Sequence, residues 1–251
     1  MPTKKAVRSR PQARIASGTD ATDVLAWLER SGTRKDRDGM ARYGIVATKA
    51  FGVSVGALRK KGKELGRSHE LAAALWASGW YEARLLAAFV DDPAQVTPAQ
   101  MDRWVRDFEN WADCDTVCFH LFDKTPHALA RVVAWAKRRE EFVKRAAFAL
   151  LASVALHDQQ LPDERFAKLL PLVEKGAADD RNFVKKGVLW ALRGIGERSP
   201  ALRTEALAVA RRLAAADGAS ERWVGKAALR ELNSAAATRR LAAQRSRTRR
   251  S

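Results

Sequence analysis

Apolar positions along the chain recur with helical spacing. Val184, Val188, Ala191, Leu192 and Ile195 fall on one side of a wheel drawn at 100° per residue, and Phe148, Leu151, Val154 and Ala155 do the same. No stretch alternates apolar and polar residues with β-branched enrichment, so no strand is expected. The pattern predicts helices over 20–31, 35–43, 54–65, 68–78, 80–91, 97–110, 111–122, 125–138, 141–157, 163–176, 181–196, 199–216 and 220–236. Punctuation supports these bounds. Thr97-Pro98-Ala99-Gln100 and Ser199-Pro200 read as capped helix starts. Gly66, Gly79, Gly176, Gly196 and Gly218 stand where helices should stop. The connections are short, so neighbours pack antiparallel. From about residue 68 the helices come in pairs with a period of roughly 35–40 residues, which fits a HEAT-like solenoid with a concave face. The expected fold is all-α. One solenoid domain covers 19–238, between disordered tails at 1–18 and 239–251.

Composition sharpens this reading. The 251 residues are 47% hydrophobic, enough for a substantial core, and no apolar run is long enough to span a bilayer. The N-terminal stretch lacks the apolar segment of a secretory signal. Only two cysteines occur, Cys114 and Cys118, so a disulfide framework is excluded and a reducing cytoplasm is the expected compartment. The net charge is +17. Lys4, Lys5, Arg8, Arg10 and Arg14 at one end, with Arg239, Arg240, Arg245, Arg247, Arg249 and Arg250 at the other, carry eleven of these charges without a single acid. A polyanion partner follows, with nucleic acid first, because cationic proteins gain counterion-release free energy on it.

Candidate chemistry comes from residues on unexpected faces. In 111–122, Trp111, Cys114, Cys118, Leu121 and Phe122 form an apolar stripe, with Asp115 inside it and Asp113 on the polar side. A carboxylate there is costly unless it is paired or functional. Two readings stand: an Asp tied to an Arg or capping a neighbouring helix, or a carboxylate held in a low-dielectric cleft beside an indole. In 181–196, Trp190 points away from the core stripe with Lys186 and Arg193 on its own face. It reads either as a base- or sugar-contacting platform among phosphate-binding cations or as packing on the next repeat. Arg145 lies at the edge of its helix's stripe and reads as an ordinary surface residue. The run Arg59, Lys60, Lys61, Lys63 reads as a solvated face, with phosphate contact as the alternative. Cys114, Cys118 and His120 lack a fourth ligand at sensible spacing, so no metal is expected. Neither a hydrolytic triad nor a glycine-rich phosphate loop is present, so no cofactor is expected.

Six segments taken in order resemble the AlkD-type DNA alkylation repair glycosylases, which are built of HEAT-like repeats. They are ARYGI at 41–45, FGVSVGALRKKGKELG at 51–66, HELAAALWASGWYEARLLAAF at 69–89, ENWADCD at 109–115, FVKRAAF at 142–148 and GVLWALR at 187–193. The resemblance implies a lesion cleft lined by Trp111, Asp115, Arg145 and Trp190. Arg145 enters on the resemblance and not on its own pattern. The implied activity is hydrolysis of the N-glycosidic bond of cationic 3- or 7-alkylated purines in duplex DNA, without extruding the base into a pocket and without metal or cofactor. Lys144, Lys186, Arg193, Lys60 and Lys61 are the expected DNA contacts. The expected protein is a cytoplasmic monomer, associated with the nucleoid when bound to DNA. The competing reading is a HEAT-like DNA or RNA binder without catalysis.

Overall fold

The computed structural model describes residues 20–239. The basic N-terminal tail, and the C-terminal one beyond Arg239, lie outside these residues. Every regular element among the described residues is helical. The helices are α1 (Ala21–Ser31), α2 (Arg34–Met40), α3 (Val55–Leu65), α4 (His69–Ala77), α5 (Tyr81–Val90), α6 (Pro98–Trp104), α7 (Trp111–His120), α8 (Ala128–Trp135), α9 (Glu141–His157), α10 (Asp163–Ala167), α11 (Leu170–Gly176), α12 (Asn182–Gly196), α13 (Pro200–Ala214) and α14 (Ala219–Leu232). Side-chain caps fix many of the starts. Asp20, Ser54, Ser68, Thr97 and Ser199 each accept a backbone N–H three residues on.

The structure departs from the sequence expectation where the chain interrupts itself. The helix predicted over 163–176 is two helices, because Pro171 has no N–H to give and its ring blocks the carbonyl one turn back. The helix predicted over 97–110 ends at Trp104 in a single 3₁₀ turn, Val105–Asp107, and Phe108 is extended. That break frees Asn110 to cap α7.

The described residues form two compact units. The first comprises the chain up to Asp38 together with Lys49–Asp92. Here α5 packs on α3 and α4, with α1 alongside, around Val24, Leu28, Leu58, Leu75, Leu85 and Leu86. Glu82 of α5 is fully buried, and its carboxylate accepts the N–H groups of Phe51 (2.9 Å), Gly52 (2.7 Å) and Val53 (3.2 Å). Three successive amides on one carboxylate pin the loop before α3. Gly52 sits at φ +85°, and a Cβ there would lie 2.2 Å from the Thr33 carbonyl oxygen and 2.8 Å from the Arg37 nitrogen. Only glycine permits this approach of the loop to the start of α2.

The second unit comprises Gly39–Thr48 and the chain from Pro93. In it α7, α9, α12 and α14 lie side by side and run parallel. Cys114 and Cys118 face the Phe142 and Ala146 carbonyls, Gly187 and Gly194 face Arg145 and Ala152, and Gly196 faces Leu232. A second layer backs them, with α8 on α9 and α13 on α12 and α14. At Gly225 a Cβ would lie 2.2 Å from the Ala214 nitrogen, so glycine sets how closely α13 and α14 approach. The parallel arrangement puts the N-terminal turns of α7, α9 and α12 at one edge of the unit; Trp111, Asp115, Lys144, Arg145 and Lys186 lie in the first two turns of these helices, and Trp190 one turn further along α12.

Candidate active site

Backbone capping sets the start of α7. The Asn110 side-chain oxygen accepts the N–H groups of Ala112 (2.9 Å) and Asp113 (3.2 Å). Asp113 replies by accepting those of Asn110 (3.3 Å), Glu109 (3.0 Å) and Cys114 (2.6 Å). Asp113 is therefore buried, contrary to its assignment to the solvent side. The wheel fails there because first-turn amides have no helical acceptor and draw a carboxylate inward. Asp113→Ala should lower stability by about 1–2 kcal/mol in urea denaturation, the usual scale for a lost cap. Segment 39–48 clamps the same turn. Thr48 N–H donates to Glu109 (2.8 Å), the Asn110 amide to the Val46 carbonyl (3.1 Å), and the Trp111 indole N–H to the Tyr43 carbonyl (2.9 Å).

One turn on, Asp115 meets Arg145 of α9. Arg145 Nε donates to Asp115 Oδ1 at 2.9 Å and Nη2 to Oδ2 at 2.7 Å, while Nη1 donates to the Phe183 carbonyl at 2.6 Å. The Arg145 side chain is 8% exposed and that of Asp115 is 20% exposed. Arg145 is thus a buried residue and not the surface one its wheel position suggests. Burial pushes the Asp115 carboxyl above its ordinary pKa, and Arg145 pulls against that. Burial also disfavours the charge on Arg145, but Asp115 more than restores it. Burial pushes the neighbouring Cys114 thiol well up, which leaves it protonated and unreactive.

The apolar stripe of α7 also shifts. Cys114, Val117, Cys118 and Leu121 are buried, whereas Trp111, Asp115 and Phe119 line up at i, i+4 and i+8 on an adjacent, half-buried face. Phe119 has no place in the sequence expectation, although its spacing from Asp115 could have flagged it. Its ring lies nearly parallel to that of Trp190 on α12, with centroids 6.5 Å apart, and His157 packs edge-on at 4.2 Å. Asp115 and Arg145 are thus in direct contact, Trp111 lies one turn before Asp115 on α7, and Trp190 meets the same helix at Phe119, one turn after it. Phe183, which supplies a carbonyl to Arg145 and a ring 6.0 Å from its guanidinium, gives no sequence signal for that role.

The expected DNA-contacting cations divide into two groups. Lys186 and Lys60 are exposed and have no side-chain partner among the described residues. Lys144 binds Asp179 at 2.8 Å, beside Arg181, whose hydrogen bonds are the main reason the Asp179 carboxyl stays ionised far below its ordinary range. Arg193 binds Glu231 at 2.7 Å, so Trp190 is flanked by one unpaired cation instead of two. Lys61 pairs with Glu64 (3.6 Å) and lies over Trp27 (5.4 Å). Among the described residues no three His, Cys, Asp or Glu side chains gather where they could hold a metal ion.

A family model described as DNA alkylation repair enzyme matches residues 24–232. The chain belongs to that family. All four residues of the candidate site fall within the matched span. A solved structure, described as belonging to a new family of proteins related to the HEAT-like repeat DNA glycosylases with affinity for branched DNA structures, superposes with a TM-score of 0.69 at 20% identity. It covers 77% of this chain and 83% of that one. The fold of this DNA alkylation repair family member is accordingly all-α and HEAT-like. No curated protein matches the chain. No helix among its described residues is long and apolar enough to cross a membrane.

Proposed function

We propose that this chain is a DNA glycosylase that hydrolyses the N-glycosidic bond of cationic 3- or 7-alkylated purines in duplex DNA. The observation that carries the reading is the Asp115 carboxylate. It is fixed by two hydrogen bonds from a buried arginine, still partly open, and bordered by Trp111 on one side and Phe119 with Trp190 on the other.

Departure of the base leaves an oxocarbenium-like sugar. A fixed carboxylate stabilises that developing positive charge more than it stabilises the ground state. Asp115 oxygens retain lone pairs beyond those given to Arg145, and one of them can orient the attacking water and take up its proton. The leaving purine already carries a positive charge and departs neutral, so no general acid is required. The two indoles face the electron-poor sugar or lesion as cation–π acceptors. Arg145 is a positioning residue. Its guanidinium is committed to Asp115 and the Phe183 carbonyl, so holding a flanking phosphate falls instead to exposed lysines such as Lys186. The expected partner is duplex DNA carrying the lesion, bound by a monomer.

The bidentate pair also favours a second reading: a DNA binder in which Asp115–Arg145 is structural. Incubation with duplex containing 7-methylguanine separates the two. Release of the free base supports the glycosylase, and binding without release supports the second reading.

A further inference from the structure

The first compact unit holds a cleft of about 530 Å³ that the catalytic reading does not use. It is lined by Leu25, Ala26 and Glu29 of α1, Arg37 of α2, and Phe51 and Trp80, with Thr22 and Ala50 at its margin. That volume suits a small organic ligand. We propose that this cleft binds a guanine nucleotide, presented either as an unpaired guanine in DNA or as the free mononucleotide.

Three observations point to this ligand. First, the Phe51 and Trp80 rings are stacked, with centroids 3.9 Å apart and planes 17° apart. Both line the cleft and are half-buried, so the stack is partly open to it. A planar base extends such a stack, and a purine does so with the largest area. Second, the stack is built before any ligand arrives. Glu82 pins the amides of Phe51, Gly52 and Val53, the Thr33 N–H donates to the Gly52 carbonyl at 2.8 Å, and the Tyr81 N–H donates to the Lys49 carbonyl at 2.9 Å. The last bond fixes the turn that carries Trp80. Third, the two charged groups on the cleft, Glu29 and Arg37, are exposed, and neither side chain has a hydrogen bond or ion pair among the described residues.

An unpaired carboxylate and an unpaired guanidinium beside an aromatic stack define complementary ligand groups. A carboxylate has two acceptor oxygens and no donor, so it matches two adjacent N–H donors. Guanine offers that pair on its N1 and N2 edge. Adenine and cytosine each present one amino group beside an acceptor, which the second carboxylate oxygen repels. The Arg37 guanidinium matches a phosphate. Leu25 and Ala26 supply the apolar floor.

The test is calorimetric titration of the full chain with GMP, AMP, CMP and guanosine, alongside anisotropy with a duplex carrying one unpaired guanine and its fully paired counterpart. GMP should bind saturably, roughly tenfold more tightly than AMP or CMP, the scale of a lost hydrogen-bonded donor at a carboxylate. Glu29→Gln should erase that preference. Arg37→Gln should weaken GMP toward guanosine. Neither side chain holds a hydrogen bond or ion pair among the described residues, so both variants should keep the parental helical dichroism. Tighter binding of the unpaired-guanine duplex than of the paired one, lost in Glu29→Gln, identifies DNA as the source of the base. Saturable GMP binding with no such difference identifies the free nucleotide. Absence of both, equal affinity for GMP and AMP, or variants that bind as the parent does would overturn the proposal. Because the readout is binding and not base release, its failure leaves the glycosylase reading intact, and the converse holds.

Discussion

Asp115→Asn should leave the protein folded and able to bind DNA but lower release of 7-methylguanine by about 10²–10³-fold, the scale seen when a preorganised electrostatic group is removed from an active site. The amide keeps the size of the side chain and one acceptor for Arg145, but it carries no charge to face the developing sugar cation. Removing a negative charge near phosphates leaves DNA affinity unchanged or slightly tighter. The measurement is single-turnover base release beside an equilibrium binding curve and a denaturation curve. Wild-type release by the variant would refute the mechanism. Loss of fold, with base release unaffected in whatever remains native, would make the Asp115–Arg145 pair structural and favour the binder. Asp113→Asn cannot serve as a neutral control, because Asp113 accepts three amides at the start of α7.

The second large effect is expected at Arg145. Arg145→Met leaves a partly buried carboxylate without its cation. Breaking a buried pair costs about 3–5 kcal/mol; one side of Asp115 meets solvent, so the loss here should be about 2–3 kcal/mol. The more telling readout is the pH profile. Burial already raises the Asp115 pKa, and Arg145 opposes that rise. The proposed mechanism needs the ionised form, so in the wild type the rate should climb with pH through a point above the ordinary value for an aspartate. Without Arg145 the proton is held more tightly, and this acid limb moves to higher pH. Arg145→Lys restores the charge but not the three-point geometry, so it should return the limb part of the way while leaving the rate roughly tenfold down. A purely structural arginine would shift the melting temperature and leave the limb in place.

The gross fold is legible in the sequence because helix formation is local. Apolar spacing, Thr97-Pro98, Ser199-Pro200 and the terminating glycines specify an all-α chain, and α9 spans the predicted residues without adjustment. The exceptions are also local: Pro171 divides one predicted helix, and another ends at Trp104, ahead of the Asn110 cap that starts the next. Asp115 and Trp190 stand out in the sequence because each departs from its own helix's pattern. Resemblance to a family, and not pattern, picks out Arg145.

Tertiary structure decided the rest. A helical wheel knows only one axis, so it cannot place a residue between two helices. Arg145 looks exposed on α9 alone and is buried because α7 brings Asp115, and α12 the Phe183 carbonyl, to the same point. Parallel packing of α7, α9 and α12 causes that convergence, joining residues 30 and 38 positions apart. The same limit hides which cations are free. Lys144, Arg193 and Lys186 are equivalent in the sequence, but Asp179 and Glu231 neutralise the first two from other elements, leaving Lys186 with an unpaired charge to offer a phosphate.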